Sequence, residues 1–216
     1  MTDSDTLSHL SVASLLDRLA SSDPVPGGGS AAAWAGAMGA ALVGMVAELT
    51  IGRPEYAEHD AALREIRASA GEYRQRLLHL AEEDAAAYET VVRARRLPRA
   101  TDEERATRTA AVRAAMLAAA TAPLETARTA VEVVELAERM VPLGNPVAVS
   151  DAGVAAQLAR ASVRGAVLNV QINLPYLAPD EPLRTTAPAE LERLEEAAAG
   201  HEVAALAAVA AGMRSA

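Results

Sequence analysis

No cysteine, lysine or phenylalanine occurs in the 216 residues, and aromatic side chains make up only 2% of them. Without cysteine there is no disulfide framework, no thiol nucleophile and no Cys-type zinc site. Without lysine there is neither Schiff-base chemistry nor a P-loop cation, and histidine apart, every basic group is an arginine. Apolar residues still reach 51%, so the core must be built from Ala, Val, Leu and Met, which suits closely packed helices and fits sheets poorly. Positive charge is also short. A net charge of −9 argues against nucleic acid as a partner, because phosphate contacts need a basic face. The acidic N-terminus Met-Thr-Asp-Ser-Asp lacks the basic-then-apolar plan of a secretion signal, which leads to the expectation of a cytoplasmic protein. No strand-like alternation of useful length and no tandem repeat is found.

The most informative stretch is Asp23-Pro-Val-Pro-Gly-Gly-Gly-Ser30, which runs directly into the Ala/Gly-rich segment Ala31–Thr50. Three consecutive glycines, Gly27, Gly28 and Gly29, can take backbone angles closed to other residues and leave N–H groups bare. Ser30 is placed to cap the helix that follows, which would set a positive dipole end beside the loop and suit an anionic or carbonyl-rich ligand. Gly36, Ala40 and Gly44 recur every four residues, giving a nearly bare face that a neighbouring helix can approach closely. From Val25 to Ala47 there is no charged residue, enough length for a membrane span. The weak hydrophobicity of Ala and Gly, with acidic flanks at Asp23 and Glu48, reads instead as a buried helix of a soluble protein, with no membrane as partner.

Leu7, Leu10, Leu15, Leu16 and Leu19 predict a first helix over 7–21, and the second covers 30–51. A turn at 52–56 follows. The pattern is then helical from 58 to Leu97, about 60 Å at 1.5 Å per residue, with Gly71 as the place for a break and Pro98 as the stop. Thr101-Asp-Glu-Glu104 has capping-box spacing and opens a fourth helix to 120. Thr121 and Pro123 restart a fifth, to about 142. Ser150 caps a sixth over 151–173, and the last runs over 188–213. The expected fold class is all-α: one domain, 1–216, forming a mostly antiparallel bundle of about seven helices with one long helix.

Asp84 stands out within Leu80-Ala-Glu-Glu-Asp-Ala-Ala-Ala-Tyr88. Aspartate is a poor mid-helix residue, and it shares a face with Leu77, Leu80, Ala81 and Tyr88 that should point inward. A carboxylate held there would be partly desolvated, with a pKa moved toward the operating pH, as a general acid or base requires. The equally open alternative is a solvated member of an acidic run with Glu82 and Glu83. Asn169 and Asn173 lie four apart on the sixth helix. They can bond a neighbouring helix, or read donors and acceptors on a heterocycle. Asp151 is favoured by its helix dipole whatever its role. The arginines at 93, 95, 96 and 99 form the one basic cluster. Four scattered histidines show no ligand spacing, so no metal site is expected.

Pro24-Val-Pro-Gly-Gly-Gly-Ser30, Glu83-Asp-Ala-Ala-Ala-Tyr88 and Gly144-Asn-Pro-Val-Ala-Val-Ser-Asp-Ala-Gly occur in one order, followed by Arg164-Gly-Ala-Val-Leu-Asn-Val-Gln-Ile-Asn-Leu174. Over roughly 7–177 they resemble the formimidoyltetrahydrofolate cyclodeaminase / methenyltetrahydrofolate cyclohydrolase family. The resemblance implies an all-helical homodimer acting on a tetrahydrofolate derivative, with no cofactor beyond that substrate. The cyclodeaminase closes a 5-formimidoyl group onto the 10-nitrogen and expels ammonia, while the cyclohydrolase opens a 5,10-methenyl bridge with water. Asp84 matches the family's catalytic aspartate. By the same resemblance Gly27–Ser30 and a loop with Asn145, Ser150 and Asp151 border the pterin, with Asn169 and Asn173 nearby, and an arginine among 93–99 holds the glutamate tail. The free-standing length favours the cyclohydrolase. Val147, the lysine-free turn at 52–56 and Tyr88 depart from the family pattern, and the first two motivate an alternative: a non-catalytic folate-binding or dimerisation module of the same fold.

Overall fold

The computed structural model describes residues 7–215, so the acidic stretch Met1–Asp5 lies outside them. Six α-helices carry the chain: α1 Val12–Leu19, α2 Gly28–Glu48, α3 Asp60–Arg95, α4 Asp102–Met140, α5 Val149–Asn173 and α6 Leu183–Ser215. Short 3₁₀ turns precede α1, α3 and α5 and follow α5, and no strand occurs among the described residues. The all-α expectation holds. α2 lies at the centre, packed on α3, α4 and α5, while α6 closes over α4 and α5. The core is the Ala, Val, Leu and Met interior that the composition requires: Val43, Val46, Leu63, Ile66, Leu77, Leu80, Leu124 and Met140 are fully buried. By length and composition α2 could cross a membrane, yet most of its apolar stretch is buried among its neighbours.

Small residues let α2 and α5 touch almost backbone to backbone. A methyl group at Gly39 would stand 2.9 Å from the Ala155 carbonyl oxygen, and one at Gly36 2.8 Å from Ser162 Oγ. From the other side, a methyl at Gly165 would meet Ala32 Cβ at 3.0 Å. The face in contact therefore runs Ala32, Gly36, Gly39, with four-then-three spacing. Gly44, expected in the same row, opens on empty space.

Several boundaries differ from the sequence-based ones for identifiable reasons. The predicted fourth and fifth helices are continuous as α4, with Pro123 inside. Proline has no N–H, so the Ala119 carbonyl loses its usual intrahelical donor. Asn173 Nδ2, from α5, donates to that carbonyl at 2.9 Å, which satisfies the gap from outside the helix. The Thr101–Glu104 capping box is present at the start of α4. α3 passes Gly71 unbroken. Ser30 is not a cap: α2 begins at Gly28 with Gly27 as N-cap and no side-chain cap bond. Ser150 likewise sits inside the first turn of α5, behind Ala148. Nor do the three glycines use unusual angles, since Gly52 is the glycine with positive φ, at 79°, among the described residues.

These contacts set a matched pair of substitutions. Gly39→Ala is expected to destabilise by about 1–3 kcal/mol, because the added methyl meets a rigid backbone. Gly44→Ala should stabilise by about 0.5–1 kcal/mol, because a helix interior gains from losing glycine where nothing is in the way. Urea unfolding midpoints at constant slope check both.

Candidate active site

Where the N-terminus of α2 meets α3, the first turn of α2 has no side-chain cap of its own and its backbone N–H groups need an acceptor. Asp84 of α3 supplies it. Its carboxyl group receives hydrogen bonds from the Ser30 backbone N–H and side chain, the latter with Ser30 Oγ 3.1 Å from Oδ2. Position 29 has to be glycine for this to happen. A methyl there would fall on the carboxyl group, 2.5 Å from its carbon. Gly29 thus serves close approach between two helices rather than an exotic backbone angle.

Asp84 is half-buried, and burial pushes its carboxyl above the usual carboxylate range, while the Ser30 side-chain and backbone hydrogen bonds pull the other way. Burial dominates. Ser30 Oγ is also 2.9 Å from the Ala81 carbonyl oxygen, so one hydroxyl proton faces two acceptors. When Asp84 is ionised, the hydroxyl can serve it. When Asp84 is protonated, the acid can donate to Ser30 Oγ while that hydroxyl serves Ala81. Both protonation states find partners, as a proton-transfer group needs.

Asp84 opens onto a cleft of about 400 Å³ lined by Gly27, Gly28, Gly29, Asn169, Asn173 and Tyr88, among others. Asn169 Nδ2 donates to the Gly165 carbonyl at 2.8 Å, and Asn173 Nδ2 to Ala119 and Asn169 carbonyls at 2.9 Å each. Backbone carbonyls demand N–H donors, which fixes the amide orientation and leaves both Oδ1 atoms as acceptors. A groove of similar volume further along α2, beside Ala41, Gly44 and Met45, contains one carboxylate, Glu48, and that is tied to Arg67 at 3.0 Å. It offers no shielded acid.

Of the candidate residues, the structure brings together Gly27, Gly28, Gly29, Ser30, Asp84, Asn169 and Asn173. Asn145, Ser150 and Asp151 do not join them within one chain. They lie at the opposite end of α5, and the 18 residues from Asp151 to Asn169 span about 27 Å of helix. Asn145 is buried in a turn, its N–H donating to Thr50 Oγ1 at 2.9 Å and its Oδ1 accepting from Val147. The sequence reading missed Val91, Met116, Ile172 and Tyr176, which also line the cleft, and left Arg95 undistinguished from its neighbours. Extending the Asp84–Tyr88 face by three and then four residues reaches Val91 and Arg95, so that part of the signal was present.

Known proteins resemble this chain in sequence and in fold. The family profile for formiminotransferase-cyclodeaminase matches residues 11–193. The chain belongs to this family. It is 44% identical over 162 residues to a methenyltetrahydrofolate cyclohydrolase of Methylorubrum extorquens, covering 75% of this chain and 78% of that protein. It is 35% identical over 155 residues to the formimidoyltransferase-cyclodeaminase of Rattus norvegicus, covering 72% of this chain but 29% of the rat protein. Among solved structures, a formiminotetrahydrofolate cyclodeaminase from Thermotoga maritima superposes with a TM-score of 0.84 at 28% identity, over 95% of this chain and 98% of that one. The family thus includes members named for water addition and members named for ammonia release, on one helical fold.

The raised pKa of Asp84 fixes the sign of a stability test. A carboxyl whose folded pKa lies above its unfolded value contributes stability at low pH that is lost as pH rises through the folded value. Asp84→Asn is therefore expected to melt at a higher temperature than the parent near pH 7.5, with the gap closing as the pH falls through the folded value and the parent carboxyl becomes neutral as well. Thermal scans across that range check it.

Proposed function

We propose that this chain is a folate one-carbon enzyme that adds water to the methenyl bridge of 5,10-methenyltetrahydrofolate, with Asp84 as general acid and base. The observation that carries the reading is the half-buried Asp84 carboxyl, held by Ser30 across the α2 terminus and open to the cleft. The 44% identity to a cyclohydrolase supports the choice of water as reactant.

In this reading the ionised carboxylate takes a proton from water as its oxygen bonds to the cationic methenyl carbon. A neutral tetrahedral carbon results. Asp84 then returns that proton to the 5-nitrogen as the bond from carbon to that nitrogen breaks, and the second water proton is released to solvent, leaving 10-formyltetrahydrofolate. The two amide oxygens of Asn169 and Asn173 accept from N–H donors on the pterin, and Gly27, Gly28 and Gly29 form the wall against which a flat ring lies. No metal or nucleotide takes part. The chain works as a cytoplasmic homodimer.

Ammonia release is the second reading, supported by the likeness to the Thermotoga cyclodeaminase. There the 10-nitrogen attacks the carbon of the protonated formimidoyl group, Asp84 carries the proton of the 10-nitrogen to the outer nitrogen, and ammonia leaves as the bond from that nitrogen to carbon breaks, giving the methenyl cation. A non-catalytic module has less to support it. Val147 is 89% exposed, and neither it nor the turn at 52–56 lines the cleft.

The test is the disappearance of methenyl absorbance, run beside ammonia release from the 5-formimidoyl compound. Asp84→Asn should lower kcat by about 10²–10⁴-fold with little change in KM. In the parent, kcat/KM should fall on the acid side with a midpoint above the ordinary carboxylate range, because the carboxyl is raised. Parent protein inert in both assays, or an Asn variant of undiminished rate, would sink the proposal.

A further inference from the structure

We infer that Arg95 receives the carboxylate tail of the substrate, so that the cleft reads a folate from end to end, with the one-carbon unit at Asp84 and the glutamate at Arg95. The inference rests on the folate reading above and deepens it.

Asp84, Tyr88, Val91 and Arg95 all line the cleft and stand at i, i+4, i+7 and i+11 on α3. Eleven residues turn a helix through about three full turns plus 20°, so all four form one stripe about 16 Å long. Of the basic cluster at the end of α3, Arg95 alone lies on that stripe and in the cleft. Arg93 points elsewhere, its Nη2 donating to Thr90 Oγ1 at 3.0 Å. Arg95 Nη2 lies 4.0 Å from the sulfur of Met116, another cleft residue. Among the described residues no carboxylate pairs with its guanidinium, whereas Arg67 and Arg139 each hold one and Arg128 holds two.

Between Asp84 and Arg95 along α3 stand Tyr88 and Val91, and the cleft has further apolar and aromatic walls. Two of the chain's four tyrosines, Tyr88 and Tyr176, line this cleft at 45% and 60% exposure, joined by Ile172 at 64%. In a chain with so few aromatics, exposed rings flanking one cleft suit a planar aryl group. The order acid, flat apolar walls, lone arginine follows the order of a folate: reacting nitrogens, benzoyl ring, glutamate carboxylates. The benzoyl ring, amide and glutamate backbone, together with the reach of the arginine stem, cover the distance between the ends. A protein of net charge −9 repels a dianionic tail, and a guanidinium fork offers a carboxylate two parallel hydrogen bonds.

The test pairs substrate truncation with substitution. Steady-state kinetics are run with 5,10-methenyltetrahydrofolate and with methenyltetrahydropteroate, which lacks the glutamate. Arg95→Gln should raise KM about tenfold for the folate, leave its kcat within about twofold, and leave KM for the pteroate unchanged. Arg95→Lys should recover part of the loss, and Arg93→Gln should do nothing. Equal effects on both substrates, or none on either, would overturn the inference. Should the parent show no turnover, the catalytic reading fails separately. Calorimetry with tetrahydrofolate and tetrahydropteroate, on parent and Arg95→Gln protein, then gives the same comparison from binding alone: a tail-dependent loss supports Arg95, and its absence, or a lack of binding by the parent, overturns it.

Discussion

One carboxyl group joins two helices of this bundle, and the geometry of the cleft depends on that join. α2 starts without a cap of its own, and Asp84 of α3 accepts from its first turn instead. The arrangement needs a glycine at 29 to admit the carboxyl and a serine at 30 to hold it. Burial raises the acid's pKa, while the helix end and the Ser30 hydrogen bonds favour its charge. The group is left between these opposing effects, able to exist in either form.

The opposite wall of the cleft is set by a second compensation. Pro123 leaves a carbonyl in α4 without its internal donor, and Asn173 of α5 fills the gap. That bond uses the amide nitrogen and leaves the amide oxygen as an acceptor with no donor among the described residues. Asn169 is oriented in the same way by the Gly165 carbonyl of its own helix. The tight crossing of α2 and α5 through Gly36, Gly39 and Gly165 then places Asn169 against Gly28, where a methyl group would lie 3.5 Å from the amide nitrogen. Helix packing built from small residues thereby determines how wide the cleft is.

The departures from the family pattern sort by position. Val147 is almost fully exposed and the turn at Gly52 is remote from the lining residues, whereas Tyr88 stands inside the cleft. Family members are named for two different reactions, and both reactions pass through a tetrahedral carbon while a proton moves on nitrogen or oxygen. On the proposed reading, a single acid of adjustable charge would serve either, and the choice of nucleophile would then fall to the surroundings of the one-carbon unit.

Much of this was legible in the linear chain. An Ala-rich, Phe-free composition with helical periodicity pointed to an all-helical bundle, because Ala favours helices and small side chains let helices pack at close range. The mid-helix Asp84 announced itself by sitting on an apolar face, since that spacing is a local property of α3. The helix count and the role of Ser30 were not local. Pro123 reads as a helix restart unless the neighbouring Asn173 is known to satisfy the stranded carbonyl, and Ser30 reads as a cap until α3 delivers a better acceptor. Only the tertiary packing separated Asn169 and Asn173, which reach the cleft, from Ser150 and Asp151 at the far end of the same rigid rod and Asn145 in the turn before it. Spacing along one helix is written in the residues themselves; which of its ends faces Asp84 is settled by how separate helices cross.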